Sequence, residues 1–532
     1  MAEMTGGQAL IRSLKREGVE VIFGLPGVQM YEAVDPLYDE SEIKFFTTRH
    51  EQATTYMADG YARASGKFGT AMVVPGPGLL NATAGIGTAY AASSPILVVA
   101  GQINRDKIGK DVGMLHEVND QLETIKPITK WQKRILDPKE IPGAIHEAVH
   151  QLSIGRPRPV EIEIPPETLA EKADIVLWEP EQYARLSASE QQIQRAAEAL
   201  SKAKHPVLWV GGGAVSADAS AELATLAEKY NMPVITTPEG KGAIPDSHPL
   251  HLGVISARRP EDPVRDYFKA SDVIVAVGTR FADAPVEKSQ KVIQIDIDPQ
   301  EIGRNHDNTL EVLGDARRSM ANLAALHQGV QDNNVLKSVS EIRAQRAIFA
   351  QETQPQGGFV KAIRDALPVN GILVPDMTQI GYFARMYFPA YEPRTYLTSS
   401  YFGNLGFAFP TALGAKVACP DKPVVSVSGD GGFLFNAQEL ATAKMYNIGV
   451  VAVVFSDSAY GNVMRDQITR FEGRVVGSQL QNPDFAKMAD AYGVTGLTVH
   501  TPDELRSAIS KCLDADAPAV IQVPVGMMPH PI

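Results

Sequence analysis

The run from Ser426 to Asn462, SVSGDGGFLFNAQELATAKMYNIGVVAVVFSDSAYGN, decides the fold. An apolar, β-branched stretch from Val424 to Val427 enters Gly429-Asp430-Gly431-Gly432; a helical pattern follows, and a second apolar stretch ends at Ser456-Asp457. That order reads as strand, helix, strand, with the two strands parallel and adjacent. Glycines at the end of the first strand let backbone N–H groups approach an anion, and the helix start adds its positive dipole end. Asp430 and Asp457 stand 27 positions apart, so such a unit sets both carboxylates at neighbouring strand ends. Two hard oxygen ligands beside a phosphate cradle suit Mg²⁺, which takes few protein ligands and completes its shell with phosphate oxygens and water. Gly-Asp-Gly alone would read as a tight turn and a solvated acid; the second acid favours the metal.

The same alternation extends outward over the whole chain. VEVIFG (19–24), GTAMVVPG (69–76) and SPILVVAG (94–101) are strand-length runs ending in Gly, with helical patterns between them such as Glu51 to Ala64. This first block closes at RPVEIEIPPE, ending at Glu167, and a Pro- and charge-rich stretch to about Ser187 reads as a linker. A second block holds SEQQIQRAAEALSKA, PVLWVGGG, DVIVAVGTRF and KVIQIDIDP and ends near Leu326, before the polar run HQGVQDNNVLKS. The third begins near Gly357 and ends with PAVIQVPVG. The expected class is α/β, with three domains at 1–180, 188–328 and 355–532. Each has a mostly parallel sheet flanked by helices, and the central one is Rossmann-like.

Bulk properties narrow the partners. A net charge of −12 and a pI near 5.5 speak against nucleic acid or an anionic membrane as the main partner. Cys419 and Cys512 have no metal-ligand or redox spacing and read as buried thiols in a reducing compartment. The opening MAEMTGGQAL has no secretory or transit pattern, and Gly, Pro or charge interrupts every apolar run, so a cytoplasmic location is expected. Val210-Gly211-Gly212-Gly213-Ala214 follows a strand but does not complete the dinucleotide fingerprint, and no G-x-x-x-x-G-K-[ST] occurs. Hydride transfer and nucleotide hydrolysis are therefore weak readings.

The Gly-Asp-Gly run with an oxygen ligand 27 positions later resembles the thiamine diphosphate motif. Phe23-Gly24-Leu25-Pro26-Gly27, Arg49-His50-Glu51, Ala58-Asp59-Gly60-Tyr61-Ala62-Arg63, the stretch 75–102 and PITKW (127–131) are similar to the family's pyrimidine-binding domain. GTRF and QIDIDPQEIGR resemble its central domain, and YFGNLGFAFPTALGAKVA (401–418) precedes the metal loop as in its diphosphate-binding domain. Likeness covers essentially the whole chain and is greatest to acetolactate synthase catalytic subunits, with benzaldehyde lyase also similar.

The resemblance implies a thiamine diphosphate- and Mg²⁺-dependent enzyme that makes or breaks a carbon–carbon bond beside a carbonyl. Glu51 takes the position of the glutamate that activates the cofactor through its aminopyrimidine. Leu405 matches the bulky wedge that bends it, and Gly403 the carbonyl that accepts from its amino group. Asp376, Thr378 and Gln379 fall on a loop holding the diphosphate. Gly429, Gly431, Gly432, Tyr460 and Gly461 line the cradle, and Pro26 and Gly27 the pyrimidine side. Asp430, Asp457 and the Ala459 carbonyl are the implied metal ligands; the family usually has Asn where Asp457 stands. Gln29, His50 and His116 are the implied substrate-side groups.

Implied chemistry is decarboxylation of a 2-oxo acid such as pyruvate and addition of the product to a second carbonyl. The implied assembly is a homodimer or homotetramer with active sites between subunits. Departures keep alternatives open. Acetolactate synthases carry Gln-Trp where this chain has Val463-Met464-Arg465-Asp466, and Phe-Gln where it has Leu115-His116. Gly253-Val254-Ile255 replaces the Met-His-Gly run that helps hold FAD, so FAD is not assumed. An acyloin or 2-hydroxyacyl-CoA lyase of benzaldehyde lyase type is the alternative, with Arg258, Arg259 and Arg265 as candidates for a basic CoA groove. A non-catalytic, cofactor-binding paralogue is the third reading.

Overall fold

The computed structural model describes residues 2–255, 259, 261–282, 284–326 and 333–530; Arg258 and the first half of the polar run at 327–338 lie outside them. Three parallel sheets succeed one another along the chain, one per expected domain. The first runs Lys44–Thr47, Val21–Gly24, Gly69–Val73, Ile96–Gly101, Val160–Ile164, Trp131–Arg134. The second runs His251–Gly253, Val234–Thr236, Pro206–Val210, Val273–Val277, Lys291–Asp296, Thr309–Leu313. The third runs Ile372–Pro375, Val424–Gly429, Val450–Ser456, Ala519–Pro524, Thr495–Thr498. Central strands are buried on both faces, which explains their unbroken apolar sequence.

The stretch after Glu167 is more ordered than a linker. It contains the short helix Pro166–Ala170 and a strand, Lys172–Ile175, antiparallel to Ala2–Thr5. Lys172 and Asp174 face outward and Ile175 inward, an alternation that charge-rich composition conceals.

The first and third domains share one core. The helices Glu51–Ser65 and Pro77–Ala92 pack with Ala408–Ala418 into a continuous cluster containing Met57, Ile86, Phe407 and Leu413. Two glycines permit the close approach. A Cβ on Gly60 would lie 2.0 Å from the Thr411 carbonyl oxygen, and one on Gly414 would lie 1.9 Å from that of Met57. The helix Glu51–Ser65 starts at His50, whose ring nitrogen Nδ1 accepts from the Gln52 amide, and stops at Gly66 with φ 79°.

One strand carries an unusual burden. In Val160–Ile164 the three aliphatic side chains enter one core, while Glu161 and Glu163 point to the other face and are fully buried. Glu163 is held by Arg134 and by Gln121 Nε2 at 2.8 Å; neither Glu161 oxygen has a protein partner among the described residues. Burial, reinforced by Glu163, pushes the Glu161 carboxyl well above its usual range. The group is thus protonated in the folded chain over a pH range where the unfolded chain ionises it. Its stability contribution is full below the unfolded pKa and is lost as pH rises through the folded one. Glu161→Gln should therefore gain stability relative to the parent as pH rises from about 5 to 8. Thermal unfolding across that range checks this, and a pH-independent difference would refute it.

Candidate active site

Strand ends of the third sheet build the first half of the site. Val424–Gly429 and Val450–Ser456 are parallel neighbours with Gly429 opposite Phe455, so Asp430 and Asp457 emerge side by side. Asp430 is buried, and its carboxylate is heavily bonded. Oδ1 accepts from the Gly431 amide at 2.7 Å; Oδ2 accepts from the Ser458 amide at 2.7 Å, Asn482 Nδ2 at 2.7 Å and Ser456 Oγ at 3.2 Å. Asp457 accepts from the Ala459 amide at 3.2 Å. Its carboxyl is pushed up to about 6, by burial first and by the Asp430 charge second.

These acids border a cleft lined by Asp376, Thr378, Gln379, Leu405, Gly429, Gly431, Gly432, Ala459, Tyr460 and Gly461. Every expected third-domain site residue except Gly403 lines it; Gly403, with φ 66°, lies two residues before Leu405. Met377, Asn462 and Met528 also line it and carry no local signal in the sequence; Val463, from the segment that departs from the acetolactate synthase pattern, lines it too. The glycines are sterically required. A Cβ on Gly431 would sit 2.5 Å from the Tyr460 ring, and one on Gly461 would sit 2.3 Å from Asp457 Oδ2. Bare backbone beside two acids, with a short helix starting at Asp430, fits a diphosphate bridged by Mg²⁺.

Leu405 is clamped on both sides. Asn404 donates to Tyr56 Oη at 2.7 Å and accepts from Thr88 Oγ1 at 3.1 Å. The Gly406 amide donates to Asp376 Oδ2 at 2.9 Å, and its carbonyl accepts from Asn436 Nδ2 at 2.7 Å. Asp376 thus acts largely inward: its buried carboxyl is raised to about 6 by burial, and it braces the backbone next to Leu405.

The second half stands on the first domain, and among the described residues none of the first domain lines the cleft over Asp430. Glu51 opens its helix, with Oε2 accepting from Asn81 Nδ2 at 3.0 Å and Cγ beside Gly78. Pro26 and Gly27 follow the strand Val21–Gly24; a Cβ on Gly27 would press on Val74 at 2.8 Å. Gln29 and His116, 87 residues apart, meet at 2.9 Å between Oε1 and Nδ1. His116 packs its backbone against Gly76, two residues before the Gly78 that lies beside Glu51 Cγ. The sequence gives no hint of what holds the Glu51 helix from outside. Glu439, fully buried in the third domain, accepts from the Arg49 and His50 amides at 3.1 Å and from Thr442 Oγ1 at 2.6 Å.

The central sheet bears a separate cleft of about 1000 Å³ at the carboxyl ends of its strands, where Gly211 and Gly278 meet at the change of strand order. Arg156, Arg280 and Asp296 line it, and burial raises Asp296 to about 6. Arg259 does not face an open groove: it stacks over Phe349 at 3.5 Å and donates to Tyr387 Oη.

Three family models match the chain in this same order. They are the thiamine pyrophosphate enzyme N-terminal TPP binding domain over residues 4–124, the central domain over 193–323 and the C-terminal TPP binding domain over 376–523. The chain belongs to the thiamine diphosphate enzyme family. It is 35% identical to a probable acetolactate synthase large subunit of Methanocaldococcus jannaschii, over 98% of this chain and 92% of the relative. It is 34% identical to the acetolactate synthase large subunit of Haemophilus influenzae, over 96% and 92%. It is also 36% identical to a probable 2-ketoarginine decarboxylase of Pseudomonas aeruginosa, over 94% and 90%. This family member is a thiamine diphosphate- and Mg²⁺-dependent enzyme of carbon–carbon bond chemistry, of the acetolactate synthase and 2-oxo acid decarboxylase type. Among the described residues no helix is long and apolar enough to cross a membrane.

The two acids Asp430 and Glu439, nine residues apart, should separate in their effects. Asp430→Asn is expected to raise the Mg²⁺ concentration for half-maximal activation at least tenfold, since it removes one of the two adjacent carboxylates that border the cleft. Glu439→Ala should leave that concentration within about threefold and lower kcat, because two buried amides beside Glu51 lose their acceptor at roughly 1–3 kcal/mol each. Magnesium titrations of the two variants check this.

Proposed function

We propose that the enzyme decarboxylates a 2-oxo acid such as pyruvate and joins the product to a second carbonyl compound, at sites shared between two copies of the chain. The observation that carries the shared site is the separation of the halves. The diphosphate cleft is lined from the third domain alone, while Glu51, Gln29 and His116 cluster on the first. Exposed apolar side chains beside each half support a mating surface: Val28, Tyr31, Leu80 and Leu115 near the first, Phe402, Phe435, Val463 and Phe471 near the second. A twofold arrangement would bring each half of one copy onto the complementary half of the other and close two identical sites. The relatives whose names include acetolactate synthase or 2-ketoarginine decarboxylase support a 2-oxo acid as donor.

In this reading Asp430, Asp457 and the Ala459 carbonyl hold Mg²⁺, and Gly429, Gly431, Gly432, Tyr460, Gly461, Thr378 and Gln379 hold the diphosphate side, with Asp376 bracing their loop from within. Leu405 and Gly403 support the bend between the rings, and Pro26, Gly27 and Glu51 of the other copy meet the pyrimidine. When bound, the cofactor supplies the electron sink beside the carbonyl. Glu51 holds a proton at the ring nitrogen facing it, and the exclusion of water from the mated surface strengthens that contact. His50 and His116 orient the carbonyl compound, with Gln29 bonded to His116 behind them. Decarboxylation followed by ligation transfers no net electrons, so a flavin in the central cleft would serve no redox step; visible absorbance of the purified protein tests for one. Cleavage of acyloins or 2-hydroxyacyl-CoA is the second reading, favoured by His116, whose imidazole can take a hydroxyl proton.

Glu51→Gln and Asp430→Asn should each lower turnover of pyruvate by about 10²-fold or more while the fold persists. Mixing the two inactive variants under subunit exchange should restore activity toward one quarter of the parent's level, because one intact site forms per mixed dimer. No recovery on mixing would refute the shared site, and full activity of Glu51→Gln would refute its role. Mass spectrometry of products from a panel of 2-oxo acids and acyloins separates the two substrate readings.

A further inference from the structure

We propose that Gln29 is a positioning residue that fixes the His116 ring as its Nδ1–H tautomer and so leaves Nε2 as a proton acceptor. The inference rests on the reading that the first-domain cluster faces the cofactor.

The assignment follows from hydrogen-bond pairing. The Gln29 amide spans two neighbours: one end lies 3.1 Å from the Leu115 carbonyl oxygen and the other 2.9 Å from His116 Nδ1. A carbonyl oxygen only accepts, so the Gln29 nitrogen must face Leu115 and its oxygen must face His116. An amide oxygen only accepts, so Nδ1 must carry the hydrogen. A neutral imidazole has one N–H, which leaves the Nε2 lone pair free.

The surroundings hold this arrangement firmly. Gln29 and His116 both adopt left-handed backbone, with φ 70° and 68°, a conformation that non-glycine residues keep only when their surroundings over-determine it. Gly76 closes the space beneath His116, where a Cβ would lie 2.4 Å from the His116 carbonyl oxygen. The Gly76 amide donates to Gln121 Oε1 at 2.8 Å, and Gln121 Nε2 donates to the Gly101 carbonyl and to Glu163. A chain of hydrogen bonds thus runs from the buried Glu163 to the loop on which His116 rests.

His50 has the opposite tautomer. Its Nδ1 accepts from the Gln52 amide at 3.3 Å, so its hydrogen is on Nε2. One histidine next to Glu51 therefore offers a donor, and the other, on the adjoining loop, offers an acceptor. An acceptor is what bond cleavage needs. The hydroxyl O–H of the 2-hydroxy ketone breaks and its proton goes to His116 Nε2. The oxygen's electron pair would form the C=O of the first released aldehyde, and the electron pair of the broken C–C bond would go to the electron sink that the bound cofactor supplies. The imidazolium would then give its proton to the former ketone carbon, so that the two aldehydes together carry every atom of the 2-hydroxy ketone. In ligation the same proton moves in reverse.

Two measurements on the full-length protein test this. Spectra of ¹⁵N-histidine-labelled protein, with His116 assigned by its loss in His116→Asn, should show a pyrrole-type Nδ1 and a pyridine-type Nε2; protonation at Nε2 would overturn the assignment. With thiamine diphosphate and Mg²⁺, cleavage of acetoin and benzoin should occur. Gln29→Leu should lower its kcat about tenfold with little change in KM, a fraction of the 10²–10⁴-fold typical of acid–base catalysis. Gln29→Glu keeps an acceptor for Nδ1–H and should recover most of that loss. Equal losses in both variants would overturn the proposal. Absence of turnover on every 2-oxo acid and acyloin would instead sink the functional reading, and the nitrogen spectra would still decide the tautomer.

Discussion

Close contact of two helices across a domain boundary governs the rest of this molecule. Glu51–Ser65 of the first domain lies against Ala408–Ala418 of the third, near enough that glycine is required at both Gly60 and Gly414. A Cβ at either position would meet backbone, which cannot rotate away as a side chain can. The seam fixes where the Glu51 helix starts relative to the third domain. Glu439 then takes the free amides at that start, a place where a helix has donors without intrahelical partners. A buried carboxylate tolerates this position because it is hydrogen-bonded three times.

The seam also reaches the diphosphate side. Asn404, next to Leu405, bonds to Tyr56 and Thr88, which belong to the two first-domain helices of the shared core. Leu405 and Glu51 are thus both braced through one packed interface. Shifts in that interface would move both together, because a close-packed core transmits displacement instead of absorbing it.

How far the sequence foretells this depends on range. The parallel sheets, the cradle and the paired acids are legible because each arises within one strand–helix–strand unit of a few dozen residues. The strand Lys172–Ile175 is hidden, since its alternation is overlaid on charge. Asn482 is equally hidden: it donates to Asp430 from 52 residues away with no local pattern to mark it. Glu439 sits within the decisive stretch itself, yet its partners Arg49 and His50 are some 390 residues earlier. Gln29 and His116 were both expected beside the substrate, but their mutual hydrogen bond depends on two left-handed backbone positions that composition does not reveal. The tautomer is a property of the pair.

Two departures from the family pattern, separate in the sequence, are electrostatically linked in the fold. Asp457 stands where Asn is usual and adds a second carboxylate beside Asp430; Arg465 falls in the segment where acetolactate synthases carry Gln-Trp. Burial and the Asp430 charge both favour the protonated form of Asp457, and the positive charge of Arg465 opposes them. The guanidinium is held in place, donating to the Met528 carbonyl at 3.1 Å and to the Asn462 side-chain oxygen. Met528 and Asn462 themselves line the cleft. A cation fixed there offsets the extra acid locally, so the two departures form one linked change at the edge of the cleft.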